Sequence, residues 1–119
     1  MTMSRLEVID RENWRDFLAA PAAVLMLGKS NCKACQAWTD ELTTFLESDE
    51  TWQHVRFGKL ELDRGGMAAF KKENTWITEL EDLPYNVIYV NGERRKEFLG
   101  SGVDRLVNRM RRVVPDPSP

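Results

Sequence analysis

Cys32 and Cys35 are the only two cysteines in the chain, and they form the motif Cys32-Lys33-Ala34-Cys35. Random placement of two cysteines gives this spacing in about 2 % of cases, so the pair reads as a unit. A purely structural staple gains little from closing so short a loop. Structural zinc usually takes four ligands. With His54 as the only histidine, one chain cannot assemble such a site from cysteine and histidine alone. Three readings remain: a dithiol/disulfide redox pair, a metal shared between two chains, or coincidence. No cofactor and no metal of the chain's own is expected.

The segments around the pair decide between these. Ala23-Val24-Leu25-Met26-Leu27 is a continuous apolar run of strand length, typical of a strand buried on both faces. A polar turn follows over 28–31. The cysteines then open a helical pattern to about residue 46, with Trp38, Leu42, Phe45 and Leu46 at helical spacing. The first turn of a helix carries unpaired N–H groups and the positive end of the helix dipole. A thiolate there is stabilised, and the cysteine pKa falls below its free value. Lys33 adds charge of the same sign. Residues three apart share a helix face, so the two sulfurs can bond without unfolding anything. Cys32 at the tip is expected to attack a substrate disulfide, and Cys35, one turn deeper, to resolve the mixed disulfide.

The remaining elements follow from local pattern. Residues 6–9 read as a short strand. Asp10 is expected to cap a helix over 13–18, with Trp14, Phe17 and Leu18 on one face. Residues 55–62 alternate as a strand, Gly65-Gly66 breaks the chain, and 67–74 read as a helix. Residues 85–90 form a strong strand, Asn91-Gly92 signals a hairpin, and 94–99 return. Residues 103–113 close as an amphipathic helix with Val103, Leu106, Val107 and Met110 inward. The order β-α-β-α-β-α-β-β-α predicts an α/β fold, a central mixed sheet with helices on both faces. One domain over 1–114 is expected, followed by a flexible tail over 115–119.

The chain has 119 residues, of which 42% are hydrophobic and 30% charged, with a formal net charge of −2. That suits one folded domain and gives no electrostatic reason for a nucleic-acid or membrane partner. No basic segment followed by an apolar run opens the chain, so a cytoplasmic protein, monomeric by default, is the expectation.

Three stretches resemble the thioredoxin family, and together they span nearly the whole chain. They are Val24-Leu25-Met26-Leu27 leading into Cys32-Lys33-Ala34-Cys35, then Lys59-Leu60-Glu61-Leu62-Asp63, and then 83–92 with Phe98-Leu99-Gly100. The resemblance implies a thioredoxin-like fold and thiol–disulfide exchange with protein disulfides or dithiols, recycled by a reductase or oxidant. It implies that the Leu83-Pro84 bond is cis and faces the cysteines. Leu83 would then offer its backbone to an extended substrate, and Leu83, Pro84, Asn31 and Lys33 are the expected substrate-binding residues. It also implies that Lys59 lies beneath the pair and favours a thiolate at Cys35.

The departures from the family carry information too. Asn31 stands where a tryptophan is usual, Lys33 and Ala34 where glycine and proline are usual, and Met26 where a buried acid is usual. Asp40 replaces a helix proline, and the stretch 65–82 is longer than is typical. Loss of the acid removes general-base help for Cys35. Lys33 should stabilise the reduced pair and so raise the potential above that of thioredoxin. Two rivals to the oxidoreductase stand: a thioredoxin-fold binding, chaperone or assembly module with incidental cysteines, and a dimer sharing a metal through four cysteines. Trp38 reads as packing beside Cys35. Trp76 reads as a core residue of a helix-to-strand connection. The alternative is a partner-selective rim of Trp76, Ile77 and Leu80 with Glu79, Glu81 and Asp82 favouring basic partners. His54 reads as a surface or packing residue, and Arg105, Arg109 and Arg112 as a solvated helix face.

Overall fold

The computed structural model describes residues 4–116. Five strands, β1 (Leu6–Val8), β2 (Ala22–Gly28), β3 (Arg56–Glu61), β4 (Tyr85–Val90) and β5 (Glu93–Leu99), form one sheet in the order β1-β3-β2-β4-β5. β1, β3 and β2 run parallel, while β2, β4 and β5 run antiparallel, so the sheet is mixed as expected. The helices are α1 (Trp14–Leu18), α2 (Lys33–Ser48), α3 (Ala68–Glu73) and α4 (Val103–Val113). Of the tail expected at 115–119, residues 117–119 lie outside the described residues.

Every residue of β2 is buried, because helices cover both faces of the sheet. Val24 and Met26 point to one side, into a core shared with Trp38, Leu42 and Leu46 of α2 and Leu106 and Met110 of α4. Ala23, Leu25 and Leu27 point to the other side, into a core shared with Trp14 and Phe17 of α1 and Phe70 of α3. A strand buried on both faces must read as an unbroken apolar run, and this one does.

Two local features depart from the sequence pattern. Asp10 does not cap α1 directly: its Oδ1 accepts from the N–H groups of Glu12 (2.9 Å) and Asn13 (3.1 Å), and Asn13 is the residue at the helix boundary. A 3-10 turn, Thr75–Glu79, follows α3 where only a connection was expected. It holds Ile77 in the core but leaves Trp76 half-buried, which argues against Trp76 as a core residue. A glycine inside a strand marks a close approach, and Gly58 in β3 is such a place. A Cβ there would lie 2.7 Å from Ile9 Cγ1 and 2.8 Å from Phe17 Cζ. The turn between β4 and β5 has Asn91 and Gly92 at φ of 52° and 83°, the paired left-handed conformation that an Asn-Gly hairpin uses.

Candidate functional site

Cys32 sits where β2 hands over to α2, and it is the N-cap residue of that helix. Its Sγ accepts a hydrogen bond from the Cys35 backbone N–H at 3.1 Å, so the sulfur does the capping that an oxygen usually does. Its carbonyl accepts the first helical bond, from Gln36 N–H at 3.0 Å. A disulfide joins Cys32 to Cys35, with the two Cα atoms 5.2 Å apart. The sulfurs differ in access: Cys32 is partly exposed, whereas Cys35 is 1% exposed.

Cys35 is packed against the end of β2. A Cβ on Gly28 would lie 3.1 Å from Cys35 Cβ and 3.2 Å from its Sγ. The missing side chain at 28 is what lets the inner sulfur approach the sheet. Met26, on the same face of the strand, is fully buried, and no acid stands there. Lys59 pairs with Met26 in the register and shares this face by alternation. Its ammonium lies 3.8 Å from the Glu61 carboxylate, which offsets part of its charge.

The loop before Cys32 is anchored from the turn that follows β3. Ser30 donates to the Asp63 carboxylate through its N–H (3.1 Å) and through its hydroxyl. These hydrogen bonds hold the Asp63 carboxyl below its ordinary value of 3.8, the hydroxyl contributing most. A carboxyl whose folded pKa is depressed favours the folded loop above its unfolded pKa and loses that contribution as pH falls through the folded value. The Ser30 amide resonance is therefore expected to stay constant above about pH 5 and to shift as the pH falls below about 4. Asp63→Asn should remove that transition from the spectrum.

A groove of about 360 Å³ opens beside Cys32, lined by Lys29, Leu62, Ile77, Leu80, Glu81, Asp82 and Leu83. Cys32 and Leu83, two of the residues singled out from sequence, thus meet on one surface. The Leu83-Pro84 bond is cis, Pro84 is buried, and its carbonyl accepts from Gly100 N–H at 2.8 Å. Among the described residues, neither the N–H nor the carbonyl of Leu83 makes a backbone hydrogen bond within the chain. Asn31 and Lys33 are exposed at the tip of α2 but do not line the groove. Lys59 lies on the sheet face rather than in the groove. His54 is half-buried, stacks on Trp52 with ring centroids 6.0 Å apart, and has its Nε2 3.0 Å from the Pro115 carbonyl. Arg105 and Arg109 lie over the Phe98 ring at 4.9 Å and 4.8 Å.

One residue at the site escaped the sequence pattern. Asn86 of β4 is fully buried and pairs with Met26 in the register. Its Oδ1 accepts from Trp38 Nε1–H at 2.7 Å, and its Nδ2 donates to the carbonyls of Gly100 (2.8 Å) and Phe98 (3.3 Å). It ties the helix that carries Cys35 to the strand ends beyond Pro84. The available signal was one amide in a strand of otherwise apolar and aromatic residues.

No protein-family model matches the sequence, and no curated protein matches it. Among solved structures, thioredoxin O2 from Arabidopsis thaliana in the oxidized state aligns with a TM-score of 0.72 at 16% identity, covering 97% of this chain and 100% of that one. The Malassezia sympodialis thioredoxin Mala s 13 aligns at 0.73 with 14% identity, covering 97% and 96%. A thioredoxin f2 in complex with ferredoxin:thioredoxin reductase aligns at 0.72 with 16% identity, covering 94% and 97%. No helix among the described residues is long and apolar enough to cross a membrane.

Proposed function

From a thioredoxin-like fold with its cysteine pair at the head of α2, we propose that this protein is a thiol–disulfide oxidoreductase acting on protein substrates. The observation that supports this most is the unequal pair: a capping, partly exposed Cys32 bonded to a buried Cys35. In the reducing direction, the Cys32 thiolate attacks a substrate disulfide. A Cys32–substrate disulfide forms, and one substrate thiolate leaves. Cys35 then loses its proton and attacks Cys32 Sγ, and the second substrate thiolate leaves and takes up a proton. Two electrons pass from the dithiol to the substrate, and the Cys32–Cys35 bond remains. The Cys35 N–H and the helix dipole stabilise the Cys32 thiolate, and Lys33 adds its charge. Leu83 offers its unpaired backbone groups to an extended substrate by strand addition. Lys59 assists Cys35 electrostatically from the sheet face.

A protein reductase or oxidant recycles the pair. The complex of thioredoxin f2 with a reductase supports a partner of the first kind. The apolar Met26 beside the buried thiol favours a second reading, a binding or assembly module without redox turnover. An equilibrium titration in dithiol buffers, with free thiols trapped by alkylation and read by mass, separates the two. A reversible two-electron transition between roughly −120 and −270 mV is expected, above the thioredoxin value of about −270 mV. Failure to form the Cys32–Cys35 bond reversibly at any poise would leave the binding module.

A further inference from the structure

The groove beside Cys32 does not end at Leu83. Leu80, Glu81 and Asp82 also wall a second hollow of about 470 Å³ that runs across the 3-10 turn to the edge strand β5. Its aromatic wall is Trp76 and Tyr85, with ring centroids 6.3 Å apart. Tyr85 donates its hydroxyl to Glu97 at 2.8 Å. Burial, reinforced by that carboxylate, pushes the phenol up to about 12, so it remains a donor at any working pH. At the far end Leu99 is 45% exposed.

The charge of this hollow is one-sided. Glu79, Glu81, Asp82 and Glu97 face a single cation, Arg94. Arg94 is already engaged, 3.3 Å from Glu97 and 4.3 Å above the Trp76 ring. Glu79, Glu81 and Asp82 are exposed and take part in no ion pair among the described residues. Three uncompensated carboxylates suit a cationic side chain, and the Trp76 ring, already covered by Arg94, walls the hollow beside them. The hollow shares Leu80, Glu81 and Asp82 with the groove that holds the reactive sulfur, so its occupant can be part of the same segment that Cys32 attacks.

We propose that this chain selects disulfide partners whose reactive cysteine has a lysine or arginine nearby in an extended segment, the cation lying among Glu79, Glu81 and Asp82. At roughly 3.3 Å per extended residue, a position about two to four residues from the cysteine lies about 7–13 Å along the segment, the range over which the test places the charge. The proposal rests on Cys32 as the attacking thiol, and it adds the chemistry of the partner.

The test uses the reduced full chain and octapeptide mixed disulfides carrying Lys, Gln or Glu two to four residues to either side of the cysteine. Bis(2-hydroxyethyl) disulfide serves as an uncharged reference. The Lys peptides are expected to react about tenfold faster than the Glu peptides in low salt, falling to about twofold at 0.5 M salt. In the triple variant Glu79→Gln, Glu81→Gln, Asp82→Asn the Lys-to-Glu ratio should fall to about twofold in low salt. A ratio near one in the native chain, or one unchanged in the variant, overturns the acidic hollow and leaves the oxidoreductase intact if the reference disulfide reacts. If no disulfide reacts, the redox reading fails. Fluorescein-labelled peptides with Ser in place of Cys then decide the hollow by anisotropy: tighter binding of the Lys peptide supports it, and equal binding overturns it.

Discussion

Cys32→Ser is expected to lower turnover of protein disulfides by on the order of 10³ or more, because the nucleophile itself is gone. Cys35→Ser should behave differently. Cys32 still attacks, but nothing inside the chain releases the product, so a protein–substrate mixed disulfide accumulates. Non-reducing gels or intact mass read this directly: a trapped adduct with Cys35→Ser, none with Cys32→Ser. The contrast depends on the geometry of the site, with one sulfur partly open at the helix cap and the other buried against Gly28. If both variants retained full function in the cell, the cysteines would be incidental and the fold would serve as a binding module. Equal adduct formation by the two variants would mean that access does not assign the roles.

Asn86→Leu is expected to cost about 3 kcal/mol of folding stability, or roughly 10 °C in melting temperature. The side chain is nearly isosteric but leaves the Trp38 indole N–H and the Gly100 carbonyl without these partners, while the Phe98 carbonyl keeps its place opposite residue 86 in the β4–β5 ladder. Each buried orphan costs about 1–3 kcal/mol, softened where water reaches it. Trp38→Phe in the Asn86→Leu background should recover part of the loss, since the indole donor is then gone. Thermal melts of the single and double variants make this a double-mutant cycle with a non-additive result. A strictly additive outcome would mean that the Trp38–Asn86 bond contributes nothing of its own.

Different parts of the molecule were legible to different degrees, and the reason is range. The limits of β4 and α4 coincide with the pattern over 85–90 and 103–113, because both elements are strongly periodic and bounded by Pro84, Asn91-Gly92 and the glycines at 100 and 102. The cysteine pair is equally local, since three residues of spacing and a helix start define its chemistry. Features built from distant residues left little trace in the pattern. Asn86 looks like an interruption of an apolar strand until Trp38, Phe98 and Gly100 are brought to it. The Ser30–Asp63 contact joins two loops with nothing local to announce it. The 3-10 turn at Thr75–Glu79 is too short to show a period, and the setting of Trp76 is decided by Arg94 from β5.

The sulfur that caps α2 is also one of the two that exchange electrons. Helix stability and electron affinity are therefore sides of one thermodynamic cycle. Reduction places a negative charge on the cap, a gain of about 0.3–1 kcal/mol at a helix start. It also opens a cross-link whose short loop constrains the unfolded chain by about 2 kcal/mol on the chain-entropy account. Whatever difference in folding free energy results between the two states appears in the reduction potential, at about 30 mV for each 1.4 kcal/mol. A melting curve of each form and a Nernst plot should thus report the same quantity. Any substitution in the first turn of α2 that favours one form will retune the couple without touching either sulfur.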